Sequence, residues 1–422
     1  MSNYGSADMI RFDKALILSL AKAGKSRIER KLVRLLWTFL QKHSQSTIIW
    51  GHDIMAKFTS QSDLPFEAKF NNVWFGKHEE IVHLSPPVVL GAIPEMFRDK
   101  IGKWSIGTPY LYVLRDVRLL GPFATGYTDH YSVIGETIAP ENYDVSKSPP
   151  SLVSLLMAIV PFQHLEYLSG SYCSLVSLWS KGYFHWVIEC LPRLHVLEIS
   201  GVMNERSIKF IIDAKPTKWQ VESLSLLGLS TEDLIPWNGR GALVRSLVVP
   251  SFPRRLCTPG RRFSCVSPES LRWLRDRILS NLGSTEGYTH KRKRIMISRR
   301  LAAGRRVLNE DEVMHFLKKL GFELFCLETM SFSEQVFLFS NAEVVIGPHG
   351  AGLSNIVFSE SVKVIELFAD YINPSFYTLA TSLGFQYGCL KCKEVKNIHP
   401  HRSDMIVNII QLERLLNMMG VS

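Results

Sequence analysis

The chain has 422 residues, a length that predicts two or three domains with well-packed cores. Hydrophobic residues make up 46% of the sequence and aromatic residues 11%, which indicates an ordered globular protein and excludes a low-complexity chain. The formal net charge is +10, and the excess of basic side chains is concentrated in residues 291–306.

Residues 1–60 are predicted to be an N-terminal extension that carries a basic amphipathic helix at 27–43. This helix could lie on an anionic membrane surface or pack against its own domain. The polar start of the chain indicates no signal peptide, and no apolar run reaches the roughly 20 residues that span a membrane. Residues 18–26 end in Gly-Lys-Ser but lack the first glycine of a P-loop, so we predict none there.

Residues 61–265 are predicted to form an N-terminal α/β domain. The apolar patterns and the positions of proline and glycine predict its elements. We expect strands at 110–121 and 131–140 paired antiparallel, a strand at 174–179, a helix at 183–198 interrupted at Pro192, a strand at 208–214, a helix at 218–229, a strand at 242–252, and a connection of linker-like composition at 251–265.

Two residues of the predicted helix at 183–198 are candidates for chemistry. His185 and Glu189 are one turn apart and therefore lie on the same helix face. A carboxylate beside an imidazole can orient the ring and raise its basicity, as a general base requires. Phe184 and Trp186 beside the pair indicate a half-buried cleft wall. The alternative is a structural pair that joins the helix to the sheet.

Residues 266–422 are predicted to form a second α/β domain, in which strands alternate with helices as in a parallel, doubly wound sheet. Capping-box spacing at Asn309/Glu312 and Ser331/Glu334 predicts the starts of two helices. The predicted strands are 294–298, 323–328, 343–347, 362–368 and 386–395, and the predicted helices are 267–283, 309–322, 331–342, 374–384 and 403–418.

Ligands of such sheets bind beyond the carboxyl ends of the strands. In this sequence, three candidate features stand directly after predicted strands. Glycines let a bound group approach the backbone, a helix start offers N–H groups to an anion, and arginines donate to a diphosphate. A strand-end carboxylate can accept hydrogen bonds from a ribose or pair with a neighbouring base. We expect these features to converge on one crevice: Arg299, Arg305 and Arg306; the turn Pro348–Gly352; and Glu366 with Phe368.

Other interpretations of the charged and sulfur-bearing residues are weaker. The glycine turn matches neither a P-loop nor a dinucleotide fingerprint. The basic segment 291–306 could be a solvated face, and it lacks the aromatic residues that would stack on nucleic acid bases, so we expect no nucleic acid partner. The seven cysteines are expected to be reduced, and Cys389, Cys392, His399 and His401 do not have the spacing of a common zinc site.

Three segments resemble glycosyltransferase family 61 in their order and spacing. They are GYFHWVIECLPRL at 182–194, ISRRLAAGRRVLNEDEV at 297–313, and SEQVFLFSNAEVVIGPHGAGLSNIVF at 333–358 with VIELF at 364–368. The resemblance covers about residues 110–400 and does not extend to residues 1–60. It implies a GT-B fold, in which two Rossmann-like domains, 61–265 and 266–422, face each other across a cleft.

The resemblance also implies which residues act, by motif position. It implies that a base on the N-terminal side serves catalysis and that the C-terminal domain binds the nucleotide sugar. The implied catalytic residues are His185 and Glu189, and the implied donor or diphosphate-binding residues are Arg299, Arg305, Asn309, His349, Gly350, Ala351, Gly352, Asn355 and Glu366.

The implied activity is inverting transfer of a sugar from a nucleotide donor, expected to be UDP-linked, to a saccharide or lipid-linked saccharide in surface or capsular polysaccharide synthesis. Fixed cations are expected to replace a metal ion, with a divalent cation as the alternative. A chain without a predicted membrane anchor resembles the bacterial branch of the family, which implies a cytoplasmic protein with peripheral membrane contact through 27–43. The alternative function is a catalytically degenerate module that binds a nucleotide sugar or a polyanion.

Overall fold

The computed structural model describes residues 48–49, 70–128, 132–140, 165–258, 263–282, 292–396 and 399–422. The segments at 27–43 and 18–26 lie outside the described residues. Among the residues that are described, no helix combines the length and apolar character needed to cross a lipid bilayer.

Strands alternate with helices along the chain, as predicted for an α/β protein. The strands are β1 (Ile48–Ile49), β2 (Phe70–Phe75), β3 (Ile81–Leu84), β4 (Val88–Val89), β5 (Gly102–Ser105), β6 (Tyr110–Leu120), β7 (Thr125–Tyr127), β8 (Val133–Ile134), β9 (Glu166–Ser174), β10 (Ile208–Asp213), β11 (Leu234–Trp237), β12 (Gly241–Pro250), β13 (Arg254–Leu256), β14 (Ser264–Val266), β15 (Lys293–Ile297), β16 (Phe322–Phe325), β17 (Ala342–Pro348), β18 (Lys363–Phe368), β19 (Gln386–Lys391), β20 (Lys393–Val395) and β21 (Asp404–Ile406).

The helices include α-helical, 3-10 and π segments. The α-helices are α1 (Glu95–Arg98), α2 (Tyr183–His185), α3 (Arg193–Ile199), α4 (Val202–Glu205), α5 (Lys218–Leu226), α6 (Pro268–Asn281), α7 (Glu310–Lys318), α8 (Phe332–Ser340), α9 (Ser375–Ser382) and α10 (Ile409–Met418). The 3-10 segments are Gly135–Thr137, Thr231–Asp233, Leu327–Thr329, Ala351–Phe358 and Pro400–Arg402, and Trp186–Cys190 is a π-helical turn.

The first sheet has the strand order β1-β8-β7-β6-β12-β9-β10-β11 within the described residues, with β2 also paired to β6. The run β12-β9-β10-β11 is parallel, whereas β6 is antiparallel to β2, β7 and β12. Because β9 and β10 are parallel, their carboxyl ends lie at one edge of the sheet. The segment that leads to His185 leaves the sheet at this edge, after Ser174.

The second sheet is parallel throughout its described strands, in the order β16-β15-β17-β18-β19-β4. Val344 and Ile346 on β17 pack in one hydrophobic cluster with residues of α7 and α10. Val345, which points to the opposite face, packs in another cluster with residues of α8 and α9. Helices therefore cover both faces, which confirms the predicted doubly wound arrangement.

One hydrophobic cluster continues from the first sheet to the second. It contains Cys173 from β9, Leu274 from α6 and Val364 from β18, all fully buried. Val88–Val89, which lies in the predicted N-terminal domain, pairs with β19 at the edge of the second sheet. The two predicted domains thus share a core cluster and a sheet edge in the described structure.

The predictions for residues 131–140 and 174–179 are wrong. Strand β8 is only two residues long, and β7 is the strand that returns onto β6, because the turn at 121–124 reverses the chain earlier than predicted. The strand before His185 ends at Ser174 instead of starting there. Leu175 and Val176 are buried without being in a strand, so apolar character alone misplaced this element.

The prediction of one strand at 386–395 and one helix at 403–418 is also wrong. The strand breaks at Cys392, and the residues beyond the break, β20, pair with β21 in an antiparallel arm. The last helix therefore begins only at Ile409. The arm contacts the basic segment, because Met405 N donates to Arg306 O (2.8 Å).

The segment at 251–265 contains the antiparallel strands β13 and β14, although its composition is that of a linker. Arg254 and Arg255 on β13 are both buried. Arg255 forms an ion pair with buried Glu80, and Ser267 Oγ donates to the same carboxylate (2.8 Å). The carboxylate of Glu80 thereby holds β13 and the residue before α6 together.

Candidate functional site

The helix that carries His185 contains an unusual turn. The chain is α-helical over Tyr183–His185 and then widens into the π turn Trp186–Cys190, in which Leu191 N donates to Trp186 O (2.9 Å). Pro192, which has no N–H group, ends this turn before α3 begins, so the predicted interruption there is confirmed. Such π turns occur frequently at functional sites.

His185 and Glu189 form the predicted pair. His185 Nδ1 is 2.6 Å from Glu189 Oε2, and the side chains are 32% and 5% exposed, respectively. The other carboxylate oxygen is 2.8 Å from Arg254 Nε, a contact by charge without hydrogen-bond alignment. Trp179 stacks on the imidazole, with ring centroids 5.0 Å apart. When Nδ1 carries the proton that Glu189 accepts, Nε2 keeps a lone pair with which to accept a proton.

The glycine turn joins β17 to the 3-10 helix Ala351–Phe358. The first hydrogen bond of this helix runs from Leu353 N to Gly350 O (3.0 Å), so the N–H groups of Ala351 and Gly352 precede it. A Cβ atom at Gly350 would lie 2.2 Å from Arg299 Nη1. Glycine is therefore needed here for the guanidinium group to lie against the backbone.

The structure divides the basic segment into two groups of side chains. Arg299 and Arg305 form no ion pair with a carboxylate in the described part of the chain, and Arg299 donates only to Gly304 O (3.2 and 3.3 Å). The side chains of the second group each form an ion pair with a carboxylate. These pairs are Lys293–Glu323, Arg294–Glu343, Arg300–Glu310 and Arg306–Asp404.

The two arginines without a carboxylate partner are partly desolvated. Burial, together with the charge of Arg305, lowers the pKa of Arg299 to about 10. Burial also lowers the pKa of Arg305, although Tyr371 and Glu366 act in the opposite direction. Arg299 and Arg305 are thus two half-buried cations in the loop after β15. Their repulsion and desolvation raise the free energy of the empty site, and an anion bound between them would lower it.

Beside these arginines lies a buried chain of hydrogen bonds. Glu366, fully buried at the end of β18, has one oxygen 2.5 Å from His349 Nδ1, and it accepts at the other from Tyr387 Oη (2.6 Å). The His349 ring stacks on Phe368 (5.4 Å between centroids). Glu366 therefore pairs with a neighbouring basic side chain, His349, while hydrogen bonding to a ribose stays a prediction.

The two histidine–carboxylate pairs lie on either side of two phenylalanines. The ring of Phe184 is 5.2 Å from that of His185 and 5.5 Å from that of Phe376, and Phe376 is 5.4 Å from His349. The helices are also joined directly, since Tyr183 Oη donates to Asn355 Oδ1 (2.6 Å). Asn355 Nδ2 in turn donates to Gln335 Oε1 (2.9 Å). The predicted catalytic and donor residues thus lie in one region.

Two further residues that the sequence analysis singled out, Asn309 and Arg306, are engaged elsewhere. Asn309 stands at the start of α7 but does not cap it, so the predicted capping box with Glu312 is wrong. Its amide instead exchanges two hydrogen bonds with the backbone of Val407 (2.9 and 3.0 Å). Arg306 turns toward Asp404. The second predicted box, Ser331/Glu334, is confirmed.

Sequence reasoning missed Tyr387 and Arg254 as partners of the two carboxylates. Nothing in their local sequence distinguishes them, because Tyr387 is 21 residues from Glu366 and Arg254 lies on a different element from Glu189. Sequence reasoning also missed Tyr183, the partner of Asn355. Here a local signal was present, because Tyr183 stands two residues before His185 in the same motif.

Cys389 and Cys392, the two cysteines of the zinc-site alternative, are buried thiols. Burial raises the pKa values of Cys389 and Cys392 to about 12, so both stay protonated at neutral pH. Within the residues that the structure describes, no three His, Cys, Asp or Glu side chains are grouped as metal ligands would be.

Residues 183–365 match the protein family described as Glycosyltransferase 61. The matched region begins at Tyr183, contains His185, Arg299 and the glycine turn, and ends one residue before Glu366. A search of curated proteins found no match to the chain.

Proposed function

The chain belongs to glycosyltransferase family 61 and is a glycosyltransferase, and on that premise we propose that it transfers a sugar from a UDP-sugar to a saccharide hydroxyl with inversion at the anomeric carbon. The observation that carries the proposal is a pair of half-buried arginines, Arg299 against the backbone of Gly350 and Arg305 close enough to lower the pKa of Arg299. A nucleoside diphosphate supplies the negative charge that these side chains lack.

The proposed reaction is a single displacement. The acceptor hydroxyl transfers its proton to Nε2 of His185, while its oxygen forms a bond to the anomeric carbon of the donor. The bond from that carbon to the diphosphate oxygen breaks, and its electron pair leaves with UDP. Glu189 stabilises the imidazolium that forms, and Arg299 and Arg305 stabilise the charge that develops on the leaving diphosphate.

The arrangement supports further parts of the proposal. We propose a GT-B organisation, with the acceptor on the His185 side and the donor on the His349 side of the Phe184–Phe376 contact. We also propose that the reaction needs no divalent metal ion, because two fixed cations serve the same electrostatic purpose. A saccharide or lipid-linked saccharide acceptor on the cytoplasmic side, as in capsular polysaccharide synthesis, is proposed from the family alone.

Isothermal titration of the full chain with UDP, ADP and GDP tests the donor site. We expect UDP to bind most tightly, with and without EDTA, and Arg305→Ala to weaken UDP binding by at least about tenfold, a loss of about 1.4 kcal/mol. Arg300→Ala is the matched control, because Arg300 neighbours Arg299 but is paired with Glu310. It should bind UDP like the unchanged protein.

Transfer is then tested by measuring UDP release from a panel of UDP-sugars with saccharide acceptors, and by determining the anomeric configuration of the product by NMR. Binding without turnover, or a product with retained configuration, would contradict the inverting mechanism. Failure of the unchanged protein to bind any nucleoside diphosphate would contradict the proposed donor site and leave, of the alternatives, a degenerate module that binds another polyanion.

A further inference from the structure

A polar cavity lies on the first sheet, away from the residues of the candidate site. Its volume is about 380 Å³, which is in the range of small-molecule sites. It is formed by strands β6, β9 and β12 and by the turn that follows α4. The lining residues are Arg115, Ser169, Gly170, Ser171, Arg206, Ser207, Arg245 and Ser246.

The lining has a single chemical character. It presents three guanidinium groups and four hydroxyl groups, and it contains neither a carboxylate nor an apolar side chain. In the described structure, Arg115, Arg206 and Arg245 form no ion pair, and the contact made by their side chains is a long one from Arg206 Nη1 to Ser246 Oγ (3.4 Å). Three cations around one cavity repel each other, so an anion bound there lowers the free energy of the site.

An irregularity in the strand pairing builds this cavity. Val244 pairs with Leu168 and Ser246 with Ser171, so two residues of β9 face Arg245 alone on β12. Such a bulge redirects the side chains beside it. One of these two residues of β9, Gly170, has no side chain to fill the space.

Regular pairing supplies the other side of the cavity. Ser246 stands opposite Arg115 on β6 and Ser171 on β9, so these three side chains share one face of the sheet. Ser246 is buried, whereas Arg115 and Arg245 are exposed at the rim. The hydroxyl of Ser246 therefore lies at the floor of the cavity, and the exposed side chains of Ser169 and Ser207 join the two arginines at its rim.

The cavity is separate from the donor site. It lies at Ser169–Ser171 on β9, and Ser207 lines it just before β10 begins. The segment to His185 leaves β9 four residues beyond Gly170, roughly 13 Å along the strand. The cavity is thus toward the amino ends of the parallel strands, and the reaction centre is beyond their carboxyl ends.

We propose that this cavity binds an anionic sugar unit, phosphorylated or carboxylated, of a saccharide ligand. Guanidinium groups bind an oxyanion in pairs of hydrogen bonds, and serine hydroxyls can exchange hydrogen bonds with sugar hydroxyls. The cavity has no apolar wall, so it does not suit a nucleobase, which requires stacking, or an acyl chain, which requires burial. The cavity would hold part of an acidic saccharide at a distance from the bond being formed, whichever nucleotide supplies the sugar.

The experiment measures binding of glucose 6-phosphate, glucuronic acid, glucose and inorganic phosphate to the full chain by isothermal titration. The Arg305→Ala background is used so that phosphates bound at the donor site do not contribute. We expect glucose 6-phosphate or glucuronic acid to bind more tightly than glucose and inorganic phosphate. Arg115→Gln and Arg245→Gln should each weaken that binding at least about fivefold, since each removes one charge at an exposed position.

Arg240→Gln is the matched control, because Arg240 is an exposed arginine in the turn just before β12 and does not line the cavity. It should leave the binding unchanged, and the two cavity variants should bind UDP normally in the chain with Arg305 intact. Binding that survives Arg115→Gln and Arg245→Gln, or no binding of either acidic sugar, would overturn the proposal. Equal affinity for inorganic phosphate would reject the sugar and leave a phosphate site.

Discussion

At the scale of single residues, the two histidines have the same kind of partner but different exposure. The side chain of His185 is 32% exposed and that of His349 is 10% exposed, and each ring has a buried carboxylate at Nδ1. An acceptor hydroxyl must reach the base from solvent, so exposure favours His185 for proton transfer. His349, beside Arg299 and the glycine turn, is better placed to contact the donor.

Glu189→Gln is predicted to lower kcat by a factor on the order of 10² to 10⁴, because a glutamine amide can donate to Nδ1 and move the imidazole proton to the atom that must accept one. The KM for the donor should change little. Steady-state kinetics with saturating donor measure both. Glu198→Gln is the control on the next helix, since Glu198 is half exposed and forms an ion pair with Arg277. Equal losses in the two variants would contradict the role of Glu189.

Tyr387→Phe is predicted to act on His349 through Glu366. It removes the hydrogen bond to Glu366 Oε2 and leaves that buried oxygen without a donor, which should lower the free energy of unfolding by about 1–3 kcal/mol. It should also weaken UDP binding several-fold and shift its pH dependence, because the carboxylate that orients His349 has changed. Urea unfolding and UDP titration at several pH values check this. Loss of stability with an unchanged pH profile of binding would make Tyr387 purely structural.

At the scale of elements, the strand-end turn and the arm β20–β21 position the two arginines. Gly350 allows the Arg299 guanidinium to lie on the turn. The arm holds the loop of Arg305, since Arg305 N donates to Arg402 O (3.2 Å). Arg305 itself has a φ of 58°, a conformation that costs free energy for a side-chain-bearing residue and that the surrounding bonds must maintain.

Gly350→Ala is predicted to displace the end of the flexible Arg299 side chain while leaving the fold intact. UDP affinity should fall by about tenfold, with little change in the free energy of unfolding. A double-mutant cycle with Arg299→Ala provides the control. If the alanine acts by moving Arg299, the double variant should bind UDP no more weakly than Arg299→Ala. Additive losses would show that Gly350 acts through its own backbone.

The arm is predicted to lose stability in acid. Burial of the Asp404 carboxyl raises its pKa, but hydrogen bonds from Arg306 outweigh this effect and hold the pKa below its ordinary value. A carboxyl with a depressed pKa contributes stability above its unfolded pKa, near 3.9, and loses it as the pH falls through the folded pKa. Asp404→Asn should therefore be less stable than the unchanged protein at pH 7 and equal to it in strong acid. Urea unfolding from pH 7 downward tests this, and a constant difference would exclude it.

At the scale of the whole molecule, bonds between distant elements connect the helix of His185 to the elements around His349. Glu222 on α5 accepts from the backbone N–H groups of Phe332 and Ser333 at the start of α8 (2.9 Å each). With the Tyr183–Asn355 bond and the shared hydrophobic cluster, this contact joins the elements around both sheets. The described structure therefore predicts a single cooperative unfolding transition.

Glu222→Gln is predicted to lower the free energy of unfolding by about 1–2 kcal/mol, because the start of α8 loses a charged partner. The transition should stay single when followed by tryptophan fluorescence and by far-UV circular dichroism in urea. Glu232→Gln, at an exposed position on the same half of the molecule, is the control and should change little. Two separate transitions in the unchanged protein would contradict the shared core.

How well the sequence predicted a contact depended on how many residues separate the two partners along the chain. Ser331 and Glu334 are three residues apart, and His185 and Glu189 are four apart, so helical geometry alone brings each pair together. The same reasoning failed at Asn309, where the nearby Glu312 was the expected partner and the backbone of Val407, 98 residues away, is the actual one. No local pattern indicates such a contact.

By itself, the sequence determined the α/β class, the doubly wound parallel sheet, the interruption of a helix at Pro192 and the region where candidate residues gather, because these follow from local periodicity, from the chemistry of proline and from the shared edge of parallel strands. The tertiary structure decided which basic side chains are paired with carboxylates, which carboxylate oxygens are already engaged, and how a bulge opens a polar cavity on the first sheet. These properties depend on contacts between elements far apart in the chain, where packing and charge compensation select one partner among many of the same residue type.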